Sequence, residues 1–191
     1  MNIGIFSGSF NPIHQGHLMI ANYIAEFSAL DEIWFVVSPQ NPLKSQTALA
    51  DQSHRLQMVK LALEGYNKLQ ASDFEFHLPT PSYTIDTLKA LDKAYPEHTF
   101  SLVIGADNWS VFEKWRNYEE IIQNYRIYIY DRLEYPIRIP TRFRTQVETL
   151  DSPIVEISST FVRQSLKEGK NIKAFLPEKV WKYLIKNQLY S

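Results

Sequence analysis

The chain reads as an open, doubly wound, Rossmann-like parallel α/β sheet with a small C-terminal helical appendage. Three observations lead there: short apolar runs of strand length recur along its 191 residues, helical patterns lie between them, and the first run opens into a small-residue loop just ahead of a helix. In such sheets ligands bind beyond the carboxyl ends of the strands, so the loops after Phe6, Val37, Ile104 and Ile157 are the places to look for chemistry.

Residues 1–6 form the first buried strand, and Leu18, Ile20, Ala21, Ile24 and Ala25 recur at helical spacing to define a helix over 18–28. Between them runs Ser7-Gly8-Ser9-Phe10-Asn11-Pro12-Ile13-His14-Gln15-Gly16-His17. The loop ends at a helix N-terminus, whose unpaired N–H groups favour an anion, and Gly8 and Ser9 carry no bulk to hold phosphate oxygens away. His14 and His17 add donors or positive charge where a triphosphate would lie. The competing reading is a tight turn whose histidines are only polar cap residues.

Further strands are expected at 32–37, 100–104, 126–130 and 154–157, and further helices at 53–65, 84–94, 117–124 and 159–168. Residues 131–152, with Pro136 and Pro140, are expected to cross the surface before the last strand. Gly169 ends one helix and Pro177 begins another. With no repeat and no linker, residues 1–191 read as a single domain whose C-terminal helical part covers about 158–191.

Composition narrows the function. Hydrophobic residues make up 45% and charged residues 21%, near globular averages, which argues against disorder and fibrous classes. A net charge of −1 argues against a general nucleic-acid binder. The absence of cysteine excludes disulfides, thiolate metal sites and cysteine catalysis. No segment approaches the length of a membrane helix, and the expectation is a soluble cytoplasmic protein with neither nucleic-acid nor membrane partners. Nothing in the sequence speaks to oligomeric state.

Ser9-Phe10-Asn11-Pro12-x-His14-x-Gly16-His17 resembles the (T/S)-F-(D/N)-P-x-H-x-G-H signature of the HxGH nucleotidyltransferases, which transfer a nucleoside monophosphate and release pyrophosphate. Near the other end, Ile157-Ser158-Ser159-Thr160-Phe161-Val162-Arg163 resembles their I-S-x-T-x-(I/V)-R element. Ser159 and Arg163 are four residues apart and share a helix face, so Arg163 can present a planar fork to paired phosphate oxygens. An ordinary capped helix with a solvated arginine is the bland alternative.

Pro81-Ser82-Tyr83-Thr84-Ile85-Asp86-Thr87-Leu88 resembles the P-S-Y-T-x-x-T-L element of bacterial nicotinate mononucleotide adenylyltransferases. Ile104-Gly105-Ala106-Asp107 followed by Phe112-x-x-Trp115 is similar to that family's next block. The four blocks span most of the chain in the family's order. The resemblance implies that Gly8, Ser9, Phe10, His14, His17, Gly105, Asp107, Ser159 and Arg163 bind ATP, with Asp107 on its ribose, and that His14, His17 and Arg163 are catalytic. It also implies that nicotinate mononucleotide is held by Lys44, Thr84, Trp115 and Arg116, the ring stacked on Trp115 and its carboxylate on the backbone amides of Thr84 and Arg116. The chemistry suits this, since an indole offers a flat face to a pyridinium and N–H groups select an anion over an amide. Trp115 as a core aromatic and Asp107 as a helix cap are the competing roles. Leu43 stands where the family's loop, similar to residues 39–44 here, usually has histidine, and Ser7 stands in place of a commoner glycine.

The expected reaction is transfer of AMP from ATP to nicotinate mononucleotide, giving deamido-NAD and pyrophosphate. The acceptor's phosphate is already ionised, so no general base is needed. Magnesium is expected to arrive with ATP, because the chain lacks a carboxylate cluster of the kind that builds a protein-held site. Two rivals remain: a related transferase acting on phosphopantetheine or on the amide nucleotide, and a noncatalytic nucleotide sensor. A dinucleotide-dependent oxidoreductase would need G-x-G-x-x-G, where this loop has only Gly8 and Gly16.

Overall fold

The computed structural model describes residues 1–39 and 49–190. Six parallel strands form one sheet: β1 (Asn2–Gly8), β2 (Glu32–Val37), β3 (Leu69–Ser72), β4 (Thr99–Gly105), β5 (Arg126–Tyr130) and β6 (Val147–Leu150), in the order β3-β2-β1-β4-β5-β6. The chain winds outward from β1 to β3, then returns to the centre and winds the other way. The reversal lies between β1 and β4, where the flanking connections diverge and open a crevice above Gly8 and Gly105.

Both faces of the sheet are buried, and the strands divide their side chains between them with a period of two. Phe6, Phe35, Val103, Tyr128 and Tyr130 enter one core with residues of α1 (Gln15–Phe27), α2 (Gln52–Leu63), α6 (Ser159–Lys167) and α7 (Glu178–Lys186). Ile3, Ile5, Leu102, Ile104, Ile127 and Ile129 enter the other with α3 (Thr84–Ala94), α4 (Ala106–Trp109) and α5 (Tyr118–Asn124). Val162, Val180 and Leu184 belong to the first core, and α7 packs against α2, so the C-terminal helices are built into that core.

Two expectations are corrected. Residues 154–157 are not a strand: the place beside β5 is taken by β6, which pairs Ile127 with Val147 and Tyr130 with Leu150. Pro153 carries no N–H for a ladder, Ile154 is 52% exposed, and this run crosses the top of the sheet instead. The edge strand β3 falls in a stretch with no apolar run, since only Leu69 of its four residues is buried. The first helix also starts at Gln15, which brings His17 into its first turn.

Candidate active site

The carboxyl ends of β1, β4 and β5 open into two adjoining cavities of about 520 and 820 Å³ that share Ser9, His17, Asp107, Arg132 and Ser159. The smaller is bounded by the N-terminal loop and the start of α6, which are far apart in sequence. Arg163 Nη1 donates to the Asn11 carbonyl at 2.8 Å, and Ser159 Oγ donates to the Pro12 carbonyl at 2.9 Å. Ser158 caps α6 by accepting from the Phe161 N–H at 3.1 Å, leaving Ser159 free to face the loop. The two ends of the chain therefore build one wall, as their co-occurrence in the sequence suggested.

His14 and His17 stack with ring centroids 3.7 Å apart. The His14 backbone N–H donates to His17 Nδ1 at 3.3 Å, a bond that places the His17 ring proton on Nε2. His14 is 2% exposed, and its Nδ1 has no partner in the protein. Burial, and secondarily the charge of Arg132, push its pKa down to about 3. His14 is thus neutral at physiological pH and acts as a dipole, not as the positive charge the sequence left open.

Phe10 lines the larger cavity. Its φ is +43°, the residue is 3% exposed, and its ring packs edge-on against Phe6 and His17, so the side chain also sets the shape of the turn. Gly8 lies beneath that ring, where a Cβ would stand 3.1 Å from it.

Asp107 sits in the first turn of α4, two residues past the capping position Gly105, and makes no cap. Its carboxylate instead lines both cavities, 3.9 Å from Arg132 Nε. Gly105 leaves room there: a Cβ would stand 2.3 Å from Asp107 Oδ1, the movable end of that side chain, and 3.0 Å from the buried Tyr130 ring.

The larger cavity reaches Tyr83, Thr84, Trp115 and Arg116. Thr84 opens α3, whose first N–H groups have no intrahelical acceptor. Trp115 is half-buried beside Phe112, with its Nε1 buried and unpartnered in the protein. The Arg116 guanidinium lies 3.8 Å from Asp86 and over the Tyr83 ring at 4.6 Å. Lys44 and Leu43 lie outside the described residues.

Sequence reasoning missed three side chains. Arg132 follows β5 by two residues, lines both cavities and donates to the Val155 carbonyl at 3.1 Å. Arg55 of α2 is 1% exposed and donates to the carbonyls of Ser9 (2.7 Å), Ser38 (2.7 Å), Pro39 (3.0 Å) and Ala50 (3.0 Å), tying the loops after β1 and β2 together. Tyr190, from the C-terminal end, donates to Asn11 Oδ1 at 2.6 Å. A basic residue just beyond a central strand was a usable signal for Arg132. A lone arginine on a helix and a tyrosine in a tail were not.

Residues 5–165 match the cytidylyltransferase-like family. A protein of Flavobacterium johnsoniae named "Probable nicotinate-nucleotide adenylyltransferase" is 53% identical over 192 residues, covering 100% of both chains. A protein of the same name from Bacteroides fragilis is 52% identical over 182 residues, 95% of this chain and 90% of its own. Among solved structures, the Plasmodium falciparum nicotinic acid mononucleotide adenylyltransferase complexed with NaAD superposes with a TM-score of 0.82 at 25% identity, covering 99% of this chain and 97% of that one.

Proposed function

The chain belongs to the nicotinate-nucleotide adenylyltransferases of the cytidylyltransferase-like family, and from that premise we propose that it joins AMP from ATP to nicotinate mononucleotide, forming deamido-NAD and pyrophosphate. One observation carries the assignment of the site: the Arg163 and Ser159 bonds to the loop bearing His14 and His17 enclose a polar cavity that continues into the Thr84–Trp115 cavity. A triphosphate fits the first and a flat anionic ring the second.

In this reading an oxygen of the acceptor phosphate attacks the α-phosphorus while the bond to the β-phosphate oxygen breaks, and pyrophosphate leaves. The protein's part is alignment and charge stabilisation. His17 Nε2–H and the neutral His14 ring donate to phosphate oxygens, while Arg163, Arg132 and Ser159 receive the charge that gathers on the leaving group. Asp107 accepts from the ATP ribose. Trp115 stacks on the pyridinium, and the amides at Thr84 and Arg116 take its carboxylate, with Lys44 on the acceptor phosphate. In this reading neither histidine is the nucleophile: the acceptor phosphate attacks directly, and His17 Nδ1 is already engaged by the His14 N–H.

Among the described residues no group of three His, Asp or Glu side chains is arranged to hold a metal; of the acids that line the smaller cavity, Asp107, Glu134 and Glu156, Asp107 faces Arg132. Magnesium belongs to the nucleotide in this reading, coordinated by phosphate oxygens and water, and lowers the negative charge of the triphosphate. Among the described residues no helix is long and apolar enough to cross a membrane, and a cytoplasmic location is part of the same proposal.

The test is pyrophosphate release by the purified protein with ATP and magnesium, comparing nicotinate with nicotinamide mononucleotide at matched concentration. The expected result is deamido-NAD from the acid and much slower turnover of the amide. Equal use of both would remove the backbone-amide pocket, and ATP binding without turnover of either would favour the sensor.

A further inference from the structure

Glu75 lies in a short helical turn, Phe74–His77, between β3 and α3, and is 4% exposed on the wall of the larger cavity. Its carboxylate collects hydroxyl donors from three places: Ser7 Oγ (3.2 Å) and Thr87 Oγ1 (3.0 Å) on one oxygen, Ser82 Oγ (3.1 Å) on the other. Among the described residues no lysine, arginine or histidine forms an ion pair with it. Burying a carboxylate is costly unless its oxygens are well bonded, and an apolar side chain would fill the same space at lower cost. What the carboxylate does that an apolar group cannot is hold its donors in place.

Two of those donors bracket the start of α3. Ser82 lies two residues before Thr84 and Thr87 lies three after it, so one carboxylate grips the helix start from both sides. Within the turn, the Tyr83 carbonyl accepts from the Asp86 and Thr87 N–H groups and lies 3.3 Å from the Thr87 hydroxyl, so the side-chain clamp and the first backbone bonds of α3 meet at Thr87. The third donor, Ser7, joins the clamp to the end of β1 beside the phosphate loop.

We propose that Glu75 is a positioning residue that sets the preference for an acid over an amide in the acceptor cavity, acting through Ser82 and Thr87 on the N–H groups that open α3. The inference rests on the acceptor reading above and deepens it. A carboxylate accepts at both oxygens, whereas a carboxamide turns either a C=O or an NH2 toward the protein. N–H groups held in one direction reject the NH2 and reward the anion, and N–H groups free to tilt lose that distinction. Selectivity then depends on the rigidity of the turn, and the turn's rigidity on Glu75.

The experiment measures kcat and KM for both mononucleotides and for ATP in the wild type and in Glu75→Gln, Thr87→Val and Thr87→Ser, with thermal melts alongside. Glu75→Gln keeps the shape but replaces one acceptor oxygen with a donor. It is expected to lower the acid-to-amide ratio of kcat/KM about tenfold (~1.4 kcal/mol), mainly through KM for the acid, and to leave KM for ATP within about twofold. Thr87→Val removes one of the three bonds and is expected to lower the ratio about threefold, whereas Thr87→Ser, which keeps the hydroxyl, preserves it. A ratio unchanged in both Glu75→Gln and Thr87→Val overturns the proposal, as does a parallel loss toward ATP and acceptor with the ratio intact. Should Glu75→Gln fail to fold, the threonine pair decides alone. A wild type that uses neither mononucleotide removes the proposed reaction itself, whereas a selective wild type with unselective effects in the variants removes only Glu75.

Discussion

At the nucleotide end of the cleft, charged and polar side chains face the cavity directly: Arg163, Ser159, His17, Asp107 and Arg132 all line it, and several also bond the loop they stand beside. At the other end the cavity meets an indole, the start of a helix and a backbone turn, while the Arg116 guanidinium turns to Asp86 and the Tyr83 ring. In the proposed reading one end recognises by side-chain charge and the other by backbone direction. A triphosphate presents many oxygens at high charge and tolerates mobile donors. A single carboxylate on a ring must be told from an amide of the same shape, and that calls for donors that do not move. Beside both ends sit buried ionic groups held by internal partners: Arg55 beneath the loops after β1 and β2, and Glu75 beside α3 on the wall of the larger cavity.

The comparison breaks most visibly at Arg55, which serves both loops. Arg55→Met leaves four carbonyls without their donor and is expected to lower stability by roughly 3 kcal/mol or more, read as a fall in the unfolding midpoint. A midpoint shift near zero would show that water replaces the guanidinium. His17→Ala tests the side-chain end alone: turnover is expected to fall at least ~100-fold through lost stabilisation of the transferring phosphate, with the melt little changed. An undiminished kcat would take His17 out of the mechanism.

His14 links protonation to folding. Its folded pKa of about 3 lies below its ordinary 6.5, so the unfolded chain binds the proton first and stability falls as pH drops from about 6.5 toward 3. Between pH 6.5 and 5 this amounts to ~2 kcal/mol, and His14→Gln is expected to flatten that part of the stability profile. An identical profile in the variant would mean that other groups carry the acid sensitivity. Trp115→Ala tests the acceptor end: KM for the pyridine nucleotide is expected to rise about tenfold and KM for ATP hardly at all. Equal rises would make Trp115 a core residue. The smallest effect belongs to Gly105→Ala, where the new methyl displaces Asp107 and is expected to raise KM for ATP about threefold while sparing the acceptor.

Most of the sheet, and the loop and helix start that wall the smaller cavity, were legible in the sequence because they depend on local patterns. Strands buried on both faces appear as apolar runs, and the residues facing a phosphate sit in small-residue loops and at helix starts. The edges of the sheet were not legible. β3 offers one buried side chain, and the apolar residues 154–157 drew the expectation of a strand that β6 supplies instead. The buried ionic residues were hidden for another reason. Arg55 and Glu75 owe their burial to partners 5 to 68 positions away, and nothing in the residues around them announces it. The acceptor pocket was legible only as a resemblance, since backbone amides leave almost no mark on side-chain chemistry.

The account makes the histidines and arginines a cradle for a direct transfer between two bound substrates. The most direct test is the stereochemical course at the α-phosphorus, followed with a single diastereomer of ATP carrying sulfur on the α-phosphate and nicotinate mononucleotide as acceptor. A single in-line displacement predicts inversion of configuration in the deamido-NAD analogue. Retention would mean two successive displacements through an adenylylated side chain, and would contradict the assignment of His14 and His17 as phosphate donors.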